Sequence, residues 1–232
     1  MTMLVGVDGC TGGWIVAIDD GSGRPILCRR LDSFSAIMAL TPEPSVVAID
    51  VPIGLLERGT RDCDAQARRL LAERRNSVFT APIRATLQAH SHSEASAKRF
   101  EVEGKKISLQ AWGIICKINE VDVALQAHLD WRPRVCEVHP ELCFYHLNAK
   151  HPMEYAKRFA DGKKERLGLL RDEFGTAVDI ALASGGLSCK PDDVIDAFVS
   201  LWTARRIAAG SASRLPTVPP RDHFGLPMEM WA

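Results

Sequence analysis

The sequence predicts an α/β fold: a five-stranded mixed sheet, made of a three-strand antiparallel meander plus parallel strands. Helices flank it, and a helical insertion separates strands four and five. Three observations predict it. Three short apolar runs separated by tight-turn residues come first, as in a meander. A fourth run, Val46-Val47-Ala48-Ile49, is apolar throughout and is reached through a short helix, which suits a buried parallel strand joined by a right-handed crossover. From about Arg61 to His128 the pattern is helical, and only then does a fifth run appear, Arg134-Val135-Cys136-Glu137-Val138.

The elements follow in order. Leu4 to Val7 ends in Asp8 and the turn Gly9-Cys10-Thr11-Gly12-Gly13; Trp14 to Ile18 is stopped by Asp19-Asp20-Gly21-Ser22-Gly23; Ile26 to Leu31 can pair third. Asp32 or Ser33 caps a short helix to about Leu40, which Pro42 stops. The insertion, about 58–130, carries amphipathic stretches over Asp64 to Arg75 and Ser108 to Leu129. Helices are expected over Lys163 to Phe174, Thr176 to Ala183 and Pro191 to about Ala209, with Pro191 at a favoured first helical position. The tail, about 211–232, holds Pro216, Pro219, Pro220 and Pro227 and reads as extended loop. At 232 residues the chain reads as a single domain, 1–232. This layout is the RNase H-like arrangement.

Composition narrows the function. Apolar residues at 46% and charged residues at 25% are an ordinary globular balance, so a disordered chain is excluded. Lys+Arg and Asp+Glu stand at 29 each, so net charge gives no argument for a nucleic-acid or membrane partner, and only a local patch could. No apolar stretch approaches the ~20 residues of a membrane-spanning helix, and the N-terminus lacks the basic segment of a secretion signal, so no membrane partner is expected. Seven scattered cysteines without a Cys-x-x-Cys pair argue against a disulfide framework and for a reduced, cytoplasmic location.

The acids carry the functional reading. Strands one and four should run side by side in the same direction, so Asp8 and Asp50, each just after an apolar run, should meet beyond the sheet's carboxyl edge. A fifth strand beside the fourth would add Glu137. Carboxylates so close need a counter-charge, and oxygen-only ligation favours Mg²⁺ or Mn²⁺. On the last helix Asp192 and Asp193 are explained by the helix dipole alone. Asp196, a turn further in, shares a stripe with Ser200 and Thr203, short polar side chains that suit a close approach to something polar as well as they suit a wet face.

Several segments match a known family: Gly6-Val7-Asp8-Gly9-Cys10-Thr11-Gly12-Gly13-Trp14; Ala48-Ile49-Asp50-Val51-Pro52-Ile53-Gly54-Leu55; Arg74-Arg75-Asn76-Ser77-Val78-Phe79; Lys117-Ile118-Asn119-Glu120-Val121; Glu137-Val138-His139-Pro140-Glu141; and Asp192-Asp193-Val194-Ile195-Asp196-Ala197. They resemble, in order over nearly the whole chain, the family catalogued as domain of unknown function 429, described as a predicted nuclease of RNase H fold. The last-helix acids also look like those of RuvC-type Holliday-junction resolvases. The resemblance implies a divalent-metal-dependent nuclease or phosphodiesterase with Asp8, Asp50, Glu137, Asp193 and Asp196 as catalytic acids, the metal resting on Asp8, Asp50, Glu137 and Asp196. Related nucleases commonly carry a Glu on the first helix; here Ser33 to Leu40 contains no acid, so either Glu137 would have to substitute or the second metal would be weak.

Substrate contacts are expected from Arg74, Arg75, Ser77, Lys117 and His139, the last also as a proton carrier with its ordinary pKa of ~6.5. The Arg-rich segment from Arg58 to Arg84, with seven Arg against three acids, is the candidate nucleic-acid surface, and a solvated amphipathic helix is its bland alternative. An exposed Trp or Phe on the insertion would give a homodimer its contact. Two rival classes stand beside the nuclease. One is ATP-binding phosphotransfer of the actin and sugar-kinase type, through Asp8-Gly9-Cys10-Thr11-Gly12-Gly13, although no second such loop occurs. The other is a non-catalytic RNase H-like binding module. Cys136, His139 and Cys143 also offer three ligands to zinc, against which buried structural cysteines are the commoner explanation.

Overall fold

A computed structural model describes residues 2–184 and 189–232. Its sheet comprises β1 (Met3–Cys10), β2 (Gly13–Asp19), β3 (Leu27–Leu31), β4 (Pro44–Ile49) and β5 (Val135–Glu137) in the order β3-β2-β1-β4-β5. The meander β1-β2-β3 is antiparallel, and β4 and β5 run parallel to β1. The sequence-predicted α/β architecture is therefore the observed one.

Between β3 and β4 lies α1 (Phe34–Met38), whose N-cap Ser33 hydroxyl accepts from the Ala36 N–H. The insertion holds α2 (Asp62–Leu70), a 3₁₀ segment over Ala72–Ser77, α3 (His92–Glu103), α4 (Leu109–Gly113) and α5 (Ile115–Ala127). The amphipathic stretch from Asp64 to Arg75 is not one helix: Ala72 adopts φ 46°, which ends α2, and the chain tightens into the 3₁₀ turn that carries Arg74, Arg75 and Ser77. The stretch from Ser108 likewise breaks at Ile114, between α4 and α5. After β5 come α6 (Pro140–Leu147), α7 (Ala160–Phe174), α8 (Ala177–Ala183) and α9 (Pro191–Ala208).

Two apolar layers sandwich the sheet. Val5, Val7, Val16, Val47 and Ile49 point to one face and pack with Phe34, Ile37, Ile118 and Val121 of α1 and α5. Leu4, Ile15, Ala17 and Ala48 point to the other and pack with Ala197, Phe198 and Leu201 of α9. Alternation along β1 therefore turns Gly6 and Asp8 toward α9. Gly6 is decisive there: a Cβ on it would fall 2.1 Å from the Leu201 nitrogen and 2.2 Å from the Ala197 carbonyl oxygen, so the bare glycine lets α9 lie directly on the strand.

The tail is a correction. It is not only loop: β6 (Arg214–Leu215) pairs with β7 (Met230–Trp231), and Trp231 bridges Val138 beyond the end of β5. Pro216 directly follows β6, and each strand has only two residues, too short to show alternation. On the insertion Phe100 and Leu109 stand exposed, whereas Trp112 packs partly against the core. No helix among the described residues is long and apolar enough to cross a membrane.

Candidate active site

Asp8 lies on β1, Asp50 immediately follows β4, and Asp196 lies in the second turn of α9; all three line one cavity of about 620 Å³. The local reason is register. Val7 pairs with Ile49, so the residue after each reaches the same level and the same α9-facing side, and the Asp50 N–H donates to the Val7 carbonyl at 3.1 Å. Asp196 is buried (3% exposed), delivered there by the close contact of α9 at Gly6. Its neighbour in the stripe, Ser200, donates its hydroxyl back to the Asp196 carbonyl at 2.8 Å, so the stripe is a dry contact and not a wet face.

Three acids on one floor are electrostatically costly. Burial first, then the charges of Asp196 and Asp50, push the Asp8 carboxyl well above the usual carboxylate range. Burial and Asp196 push Asp50 up to about 7, against the pull of Lys157. Among the described residues, the cation in contact with this floor is Lys157, absent from the sequence expectations, whose ammonium lies 2.7 Å from Asp196 Oδ2 and is held charged above all by that carboxylate.

A pH dependence follows from Asp50. Between about pH 4 and 7 the folded chain keeps a proton that the unfolded chain has released, so stability falls as pH rises through this window. In metal-free buffer, urea unfolding should show the protein less stable at pH 8 than at pH 5, by as much as about 2.7 kcal/mol. Asp50→Asn should flatten that slope. A slope that Asn leaves unchanged would contradict the assignment.

Glu137 does not join the aspartates. It pairs in register with Ile49, so it faces the layer of α1 and α5, opposite to α9. Its carboxylate is bound at 2.6 and 2.7 Å by the Arg61 guanidinium, which also holds Asp64 at 2.6 Å, and it accepts the Ile53 N–H at 2.6 Å. Among the described residues, Cys63, Asp64 and Glu137 are the group whose potential ligand atoms all lie within 4.8 Å of one another. Arg61 already bridges both carboxylates there, which makes this a structural ion cluster. Asp8, Asp50 and Asp196 are spaced more widely than that group. The zinc expectation also fails this criterion, since Cys136, His139 and Cys143 do not gather to the same closeness.

Asp193 is half explained by structure: its carboxylate accepts the Lys190 N–H at 2.9 Å and caps α9. Arg74 lines the cavity, but its guanidinium donates to the Met153 carbonyl at 2.8 Å and to that of Glu154, tying the 3₁₀ turn to the segment that carries Lys157. Ser77 lines the cavity too and donates to the Arg74 carbonyl at 2.7 Å. Arg75 is exposed and lines none of the described cavities. Lys117 reaches the cavity with its ammonium 2.6 Å from the Gly13 carbonyl and 4.2 Å from the Trp14 ring centroid.

His139 lines the cavity with Nε2 3.3 Å from the Ser77 carbonyl. A carbonyl can only accept, so the proton sits on Nε2 and Nδ1 carries a lone pair, shielded from water and without a hydrogen-bond partner among the described residues. Burial lowers the ring's pKa, so it is neutral at pH 7.

The Arg-rich segment is not a free basic surface. Arg61 and Arg84 are spent on buried or part-buried acids, and Arg58, Arg68 and Arg74 on backbone carbonyls. Arg69 and Arg75 remain exposed without a protein partner among the described residues.

The model of a family of unknown function, DUF429, matches residues 6–221. The chain belongs to the DUF429 family. No curated relative and no solved structure matches it. The matched span of this DUF429 member takes in most of β1 together with β4, the 3₁₀ turn, His139 and α9, and every residue that lines the aspartate cavity falls within it.

Proposed function

We propose that this DUF429 member is a divalent-cation-dependent phosphodiesterase acting on nucleic acid, of RNase H-like fold and at home in a reduced, cytoplasmic setting. The observation that carries the reading is the floor of the cavity: Asp8, Asp50 and Asp196, from three separate elements, line one recess, with Lys157 in contact with Asp196. Unlike the Arg61 cluster, that arrangement is short of positive charge. The donors are all hard carboxylate oxygens, which fit Mg²⁺ or Mn²⁺ better than zinc. Lys157 is half-exposed and stands on a stretch without regular structure, so its ammonium can leave Asp196 for water when a stronger cation arrives.

When bound, such an ion would polarise a phosphoryl oxygen and activate a water. The chain itself does the rest. Asp8, Asp50 and Asp196 hold the positive charge in place. His139, its ring oriented by the bond to Ser77, lines the wall, and its shielded Nδ1 would have to be uncovered before it could take a proton. Arg158 and Lys157 line the cavity wall, where their positive charges would meet the non-bridging oxygens of a phosphodiester. A recess of about 620 Å³ is in the range of small-ligand sites, so it takes a nucleotide unit rather than a groove of duplex.

The test is a panel of single-stranded and duplex DNA and RNA with Mg²⁺ or Mn²⁺. Asp8→Asn and Asp196→Asn should each lower cleavage by roughly 100-fold or more. Cleavage that survives both changes would reject the reading. The competing reading, a non-catalytic module with Lys157 as permanent counter-ion, is favoured by the Lys157–Asp196 pair alone. Lys157→Met separates them: if the ammonium merely keeps the place of a metal, this variant should bind Mn²⁺ several-fold more tightly than the wild type.

A further inference from the structure

A second cavity of about 430 Å³ opens beside the aspartate cavity, and the two share Asn76, Phe79 and Gln110 as common wall. Its charge is opposite in character. Arg68, Arg99, Lys105 and Lys106 line it and no carboxylate does. Arg99 is neutralised by Glu103 at 2.7 Å, and Arg68 gives one nitrogen to the Val78 carbonyl at 2.8 Å. Lys105 and Lys106 are exposed and make no ion pair among the described residues. At the junction stands Phe79, half-buried against the core, with its remaining surface shared between both cavities.

A floor that holds cations beside a trough that holds anions, with an aromatic ring between them, fits one ligand chemistry: a chain of phosphodiesters with unpaired bases. We propose that the basic cavity is the subsite for phosphates that neighbour the one over the aspartates, so that the ligand is a single strand of nucleic acid crossing Phe79. This rests on the phosphodiesterase reading for its direction along the strand, but the subsite itself needs no catalysis. A paired base is stacked within its helix and cannot enter the recess to meet Phe79, which selects single strand over duplex. The Arg-rich segment thus contributes Arg68 to the nucleic-acid path, and the free charge comes from Lys105 and Lys106, outside that segment.

The test is fluorescence anisotropy with a labelled single-stranded octanucleotide in EDTA, at several salt concentrations. Lys105→Gln/Lys106→Gln, on the exposed surface, should weaken binding about tenfold and reduce the slope of log K against log salt by about 1.4, two phosphates at about 0.7 each. Phe79→Leu should weaken it about fivefold or more and leave the slope alone. A mononucleotide used as competitor should be indifferent to the lysine pair. Three results would overturn the subsite: no binding by the wild type, an unchanged slope in the double variant, or a duplex held as tightly with the same lysine dependence. If binding behaves as expected while no cation-dependent cleavage that Asp8→Asn abolishes can be found, the subsite stands and the phosphodiesterase reading falls.

Discussion

Gly6→Ala is expected to destabilise the protein by about 3 kcal/mol or more, the upper end of overpacking costs, although it adds a single methyl group to a strand. The new Cβ would meet backbone, not a flexible side-chain end: Leu201 N at 2.1 Å, Ala197 O at 2.2 Å and Leu201 Cα at 2.6 Å. Ordinary contacts begin near 3.4 Å, so α9 would have to retreat by about an ångström along its contact with β1. Phe198, Leu201 and Ala204, all fully buried, would lose packing together. Asp196 precedes Ala197 and would move off with the helix, so cation affinity should fall as well. Gly9→Ala is the control, since its Cβ would meet nothing nearer than Lys117 Cγ at 3.7 Å. Urea midpoints of the two variants should differ widely; equal midpoints would mean that the helix does not rest on Gly6.

Arg61→Met should cost about 3–5 kcal/mol, the usual result of removing one partner from a buried ion cluster. Glu137 is 3% exposed and Asp64 1%, so both carboxyls would be left without their cation in a dry interior. The loss spreads toward the aspartate cavity, because Arg61 also donates to the Ile53 carbonyl at 3.0 Å in the loop that follows Asp50. Adding Asp64→Leu and Glu137→Met should restore part of the stability, since an apolar replacement of a whole cluster is often tolerated. Recovery would be incomplete: the Ile53 and Ala81 N–H groups, now bonded to Glu137 and Asp64, would lose their acceptors. EDTA should leave the wild-type unfolding midpoint in place. A midpoint that drops in EDTA and returns with zinc would make Cys63, Asp64 and Glu137 a metal site instead.

The sheet was legible because apolar runs and turn residues alternate so plainly over the first fifty residues, and Asp8 and Asp50 because each closes such a run. Glu137 closes one too, and what distinguishes it is alternation. Val135 pairs with Val47, so Glu137 shares the side of Val47 and Ile49, whereas Asp50 falls on the other. That parity was present in the sequence, but it needs the register between strands separated by the whole insertion. Lys157 left no such trace. It stands between α6 and α7 on a stretch without period, and only tertiary packing brings it to Asp196. The arginines of the insertion misled by composition: charge counted along a chain does not tell which guanidiniums already have carbonyls and carboxylates to bind.

The proposed cation site is tested most directly by titrating Mn²⁺ at pH 8, where Asp50 is ionised, and following free Mn²⁺ by electron paramagnetic resonance. The wild type should take up the ion with an affinity that weakens as pH falls below 7, and Asp8→Asn and Asp50→Asn should each weaken it at least tenfold. Uptake that neither substitution changes, or no uptake at all by the wild type, would contradict a cation held between β1, β4 and α9.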